Sequence, residues 1–192
     1  MQTQNLLITK SQFAVLSGSL LLMALGQMML GFGREFIDSQ RPIDWAHWLS
    51  LIGAVGVAIS VAQTKSWAIG KIARVFIIIG AIAFIGMCAI DFLLWTLPAE
   101  PTIDDALDEA LNSPGIALPF LWVGPSLLFI GLALKALEWW RLSRWGVTVL
   151  ISGTLLSGYS QSIGNRWVVV ISFIMMLIGL TGVWFGQRLA NK

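Results

Sequence analysis

Six times along this chain an apolar run approaches the length that crosses a bilayer, about 20 residues of helix. The runs cover approximately 13–32, 46–63, 74–97, 116–137, 145–163 and 167–187. A backbone in hydrocarbon must satisfy its own N–H and C=O groups, which leaves only helices or closed barrels. Barrel strands alternate lipid-facing and lumen-facing residues with a period of two, and these runs show no such alternation. The expectation is an all-α integral membrane protein: a six-helix transmembrane bundle forming a single domain over residues 1–192. Composition agrees, since 57% of the residues are hydrophobic and only 11% charged, against roughly 25% charged in a soluble domain. The excess apolar side chain has to face lipid. No small-residue cleavage site follows the first run, so it is expected to stay as a mature helix.

Charge sorting gives the expected direction. Lys10, Lys65, Lys71, Arg74, Lys135, Arg141, Arg144, Arg188 and Lys192 fall at one set of span ends, and Arg34, Arg41 and Arg166 at the other. Nine against three places the first set in the cytoplasm, with both termini inside the cell membrane. The acids sort the opposite way: eight of ten lie in the predicted outer segments, Glu138 is inside and Asp91 lies within a span. Eight of the ten tryptophans lie at or near span ends, where indole suits the headgroup layer. The third and sixth spans begin alike, RVFIII and RWVVVI. This hints at an inverted repeat, although the order of Trp and Arg is not kept between the halves.

The longest outer connection carries TIDDALDEAL at 102–111. Ile103, Ala106, Leu107, Ala110 and Leu111 recur at helical spacing, Thr102 suits an N-cap with Asp105 three positions on, and Asn112 and Pro114 end the pattern. An amphipathic helix over 102–112 is expected, its wet face formed by Asp104, Asp105, Asp108 and Glu109. The Asp-Asp-x-x-Asp spacing is also that of enzymes that hold prenyl diphosphates through magnesium. Membrane prenyltransferases carry two such motifs and more spans, and this chain has one motif on the predicted outer side. The acids are therefore read as a helix face, suited to docking a basic partner or binding a divalent cation weakly. No metal centre and no cofactor is expected; a single histidine, His47, excludes a multi-histidine site.

Ionisable and polar residues inside a membrane are functional candidates by default. Asp91 lies one to two turns below the predicted outer surface. Gln27, Tyr159 and Gln161 reach a similar level, and Arg34 and Arg166 flank it from the outer loops. These six are expected to line a polar vestibule open to the outside. The alternative is structural: Asp91 pairs with Arg34, Arg41 or Arg166. His47 reads as an interface residue, and Lys135, near an inner helix end, as a side chain that snorkels to water.

Small residues mark close-packing faces: Ser50, Ala54, Ala58 and Ala62 on the second span, Gly153 and Ser157 on the fifth, Gly182 and Gly186 on the sixth. No phosphate-binding loop and no Ser/His/Asp set is present, so no catalytic residue is assigned. Short membrane-tethered basic segments suit anionic lipid and not nucleic acid. Two functions remain. One is a non-enzymatic accessory or assembly subunit of a membrane complex, held to a membrane-protein partner or to copies of itself through the small faces and acidic helix. The other is a small transporter or channel, monomeric or oligomeric, built around the Asp91 vestibule.

Overall fold

Helix start signals are written out in the chain and used. The computed structural model describes residues 8–63, 68–96 and 101–190, without the side chains of 101–104, 106, 107 and 161–163. Thr9 opens α1 (Lys10–Gly31) with a capping box: its hydroxyl accepts from the Gln12 N–H at 3.2 Å, and its own N–H donates to the Gln12 amide oxygen at 3.0 Å. Asp44 caps α3 (Trp45–Ala62), Ser143 caps α8 (Arg144–Ile163), and the Asn165 side chain accepts from the first N–H groups of α9 (Arg166–Ala190). Gly164 has φ of 70°, the left-handed conformation that stops α8 and turns the chain into α9. Between these run the short α2 (Arg34–Asp38), then α4 (Ala68–Thr96), α5 (Pro101–Asn112), the single turn α6 (Pro114–Ile116) and α7 (Val123–Leu137). A π-helical stretch, Ala117–Trp122, joins α6 to α7 and contains Pro119, which has no N–H to give to the regular ladder.

All regular structure among the described residues is helical. Five segments are long and apolar enough to cross a membrane: α1, α3, α4, Pro114–Leu137 and α9. The expected fifth span forms as α8, but its apolar content is too low to count with the others. Thr148, Thr154, Ser157, Tyr159 and Ser160 dilute it. The third span is longer than predicted, because α4 starts at Ala68, a turn and a half before Arg74. The acidic helix falls at Pro101–Asn112, one residue longer than expected. These long apolar helices fit a multi-pass membrane protein.

Each long helix packs antiparallel on the next, and α9 returns to α1, so the six close a ring in the order α1, α3, α4, α7, α8, α9. The tightest contacts are the hairpin pairs α1–α3, α4–α7 and α8–α9. Glycine permits them. A Cβ on Gly153 would lie 2.7 Å from the Ser172 carbonyl oxygen, and one on Gly146 would lie 2.8 Å from that of Gly179. Leu20, Val57, Ile77, Leu128, Val147 and Met176, one from each helix, are buried in a single apolar core. Leu21, Ile59, Ile82, Ile130, Leu155 and Phe185, again one from each, are exposed around the outside. An apolar ring surface of that kind needs lipid against it.

The predicted packing faces lie mostly within the bundle. Ser50 and Ala54 are buried where α3 meets α1, and a side chain on Gly26 would strike Ser50. Ala58 is half-buried and Ala62, in the last turn, is exposed. Gly153 and Ser157 are buried in α8; Gly182 lies against Gly146 and Trp145, and Gly186 against Leu142.

The ring has two polar ends. The basic end carries Lys71, Arg74, Arg141 and Arg188; the acidic end carries α2, α5 and the Gly164 turn. At the basic end Lys135 turns inward and is only 1% exposed. It pairs with Glu138 one turn on and stands 5.7 Å from the Trp139 ring. Inward pairing with the buried Glu138 carboxylate takes the place of the expected snorkelling. Nearby, the Gln187 amide accepts from the Ile8 N–H at 2.8 Å and donates to the Ile8 carbonyl at 2.9 Å, fixing the chain entry to α9.

Candidate functional site

At the acidic end the only histidine lies between two carboxylates. Asp44 is the N-cap of α3 and is buried; one of its oxygens accepts from the His47 N–H at 3.2 Å. Its other oxygen lies 2.5 Å from Nδ1 of the His47 ring. Nε2, on the far side of that ring, lies 3.1 Å from Asp91 Oδ2 on α4. The spacing Asp-x-x-His at a helix start makes the first contact local. The second joins α3 to α4 across the ring. Phe92, 6.0 Å from the imidazole and 5.5 Å from Trp48, covers the pair edge-on.

A neutral imidazole has one N–H and cannot donate to both acids. With both ring nitrogens protonated the imidazole donates to both acids, and the three groups then carry a net charge of −1. They form a line, not a cage. Among the described residues no three His, Cys, Asp or Glu side chains converge as for a metal ion.

His47 and Asp91 form one wall of a cavity of about 180 Å³, with Asp44 buried behind the imidazole. Gln27 from α1, Ser50 from α3, Cys88 from α4 and Arg166 from α9 complete its polar lining; Leu30, Phe84, Met87 and Leu121 are its apolar part. An Arg166 Nη1–H donates to the Gln27 side-chain oxygen at 3.3 Å, and no ion pair involves Arg166 among the described residues. A second cavity of about 140 Å³, between α8 and α9, also has Arg166 in its wall. The Asp91 side chain is 35% exposed and lines the cavity.

Of the six residues expected to line a vestibule, Gln27, Asp91 and Arg166 come together here. Arg34 does not: it starts α2, points to solvent and pairs with Asp38 at 3.8 Å. Tyr159 does not either, because it lies between the buried Ser157 and Ser160 on the opposite face of α8 and is 65% exposed. The Gln161 side chain lies outside the described residues, as does that of Asp104. Asp105, Asp108 and Glu109 are exposed on α5. None of the three arginines considered as an ion-pair partner takes Asp91. Arg34 goes to Asp38, Arg166 to Gln27, and Arg41 stacks 5.4 Å from the Trp95 ring, whose N–H donates to Asp38. The partner is His47, which sequence reasoning placed at the interface.

Comparison with known proteins finds no match: no family, no curated protein and no solved structure matches this chain.

Proposed function

We propose that this chain is a small transporter of the cytoplasmic membrane, crossing six times with both termini inside, and that the cavity at its acidic end is an outward-facing solute site. The observation that carries this is the Asp44–His47–Asp91 line opening on a cavity of about 180 Å³ with Arg166 in the same wall. Ionisable side chains inside a membrane bundle are costly, and they mark substrate or ion pathways. The nine-to-three sorting of Lys and Arg supports the direction. Support for the sixth crossing comes from α8 itself. Its 20 residues span about 30 Å at the helical rise, it fills the place between α7 and α9, and Leu155 faces outward with the other lipid-facing residues.

An accessory subunit is the second reading. It loses support where Ser50, Ala54, Gly153 and Gly182 are taken up in contacts within the bundle. What favours it is α5, which is tied to the rest of the fold chiefly through α6 and exposes Asp105, Asp108 and Glu109.

The test is uptake by the purified protein in proteoliposomes, with a panel of labelled amino acids, sugars, small carboxylates and amines. At least one solute should enter faster than into empty vesicles, and Asp91→Asn, checked for folding by its thermal transition, should abolish the difference. No uptake of any solute, with a defined larger partner retained in mild detergent, would favour the accessory reading instead.

A further inference from the structure

We propose that the solute is a small zwitterion, an α-amino acid with an apolar side chain, held by Arg166 at its carboxylate and by Asp91 at its ammonium group. This rests on reading the cavity as the solute site. Charges of both signs line one small space. The Asp91 carboxyl group and the Arg166 guanidinium both line it, so a zwitterion can pair with both at once. A simple anion would meet the guanidinium but face Asp91; a simple cation would meet Asp91 but face the guanidinium.

Each group has hydrogen-bonding capacity to spare. Arg166 gives one N–H to Gln27, and a guanidinium has five, arranged as a fork that fits a carboxylate. Asp91 uses Oδ2 toward His47, leaving Oδ1 for an ammonium. Both are held before a ligand arrives, Asp91 through His47 to the buried Asp44 and Arg166 through Gln27. Such preorganisation lowers the cost of binding.

Size and lining point the same way. About 180 Å³ holds roughly six waters at ~30 Å³ each, and a cavity of about 150 Å³ accepts benzene. A molecule of leucine's size matches it. The apolar part, Phe84, Met87 and Leu121 with Leu30, would take the side chain while the two charged groups fix the head.

The experiment compares leucine with its two halves, isocaproate (no ammonium) and isoamylamine (no carboxylate), by titration calorimetry on the purified protein in detergent. Leucine should bind about tenfold or more tighter than either half. Arg166→Gln, at an exposed position, should cut leucine binding about tenfold and should not weaken isoamylamine. Asp91→Asn should cut leucine and isoamylamine and should not weaken isocaproate. The proposal is overturned if leucine binds no better than its halves, or if Arg166→Gln leaves leucine binding intact. Uptake of sugars alone in the vesicle panel would remove the zwitterion and keep the solute site. Uptake of nothing would remove the solute site and the zwitterion with it.

Discussion

His47 owes its position to two acids with different jobs. Asp44 both caps α3 and holds the ring, while Asp91 receives the ring from another helix. Asp44→Ala should therefore cost the cap, about 1 kcal/mol, and leave a largely buried imidazole short of a partner, about 1–3 kcal/mol more. A lowered thermal transition, measured in one detergent against the parent, checks this. Lys135 and Glu138 give the sharper contrast. Lys135→Met removes a charged partner from the buried Glu138 carboxylate and should cost about 1.5–3 kcal/mol; Lys71→Met, on an exposed side chain, should stay within ~0.5 kcal/mol. Equal effects at the two lysines would contradict the inward pairing. At this scale the sequence showed which residues are unusual but not which of them meet. Asp91 and Gln27 stood out because polar groups in an apolar run are rare, and Arg166 because it flanks their level from an outer loop. His47 was assigned to the interface because its partnership with Asp91 depends on α3 lying beside α4, and nothing in either run states that adjacency. Asp44 three residues before His47, at a helix start, was the available local signal.

Elements are held by close approach more than by specific polar contacts. Gly153→Leu would drive a side chain into the Ser172 carbonyl and Met176, and should cost at least the ~1–3 kcal/mol typical of overpacking. The α8–α9 hairpin would have to separate, which a lowered thermal transition or loss of the protein from the membrane fraction would report. In contrast, replacing Asp105, Asp108 and Glu109 on α5 by their amides should leave stability within ~0.5 kcal/mol and leave solute binding unchanged. A loss of binding would mean that α5 contributes to the site. Helix existence was legible from run length. Helix ends were less so: α4 begins at Ala68, ahead of Lys71 and Arg74, because Gly70 and Lys71 are as compatible with a helix in the headgroup layer as with a loop. The π stretch at Pro119 was not read at all. An apolar run hides the ring's effect on the hydrogen-bond ladder, since Pro is tolerated in membrane helices.

For the whole molecule, the closed ring explains why a chain of 192 residues can keep charged groups at both ends and an apolar core between them. Phe84, Ile77 and Leu128 separate the Asp91 level from the Lys135 level, so the proposed transport would require the hairpins to move relative to one another. The class of fold was readable because lipid forces helices; the ring order was not, because every apolar helix is an acceptable neighbour for every other. The most direct test of an outward-facing solute site uses a Cys88→Ala background, which removes the sole native thiol, with Leu30→Cys placed in the cavity wall. Intact cells are treated with a membrane-impermeant maleimide. The thiol should be labelled from outside, and added leucine should slow the labelling. Labelling only after the membrane is permeabilised would contradict an outward-facing site.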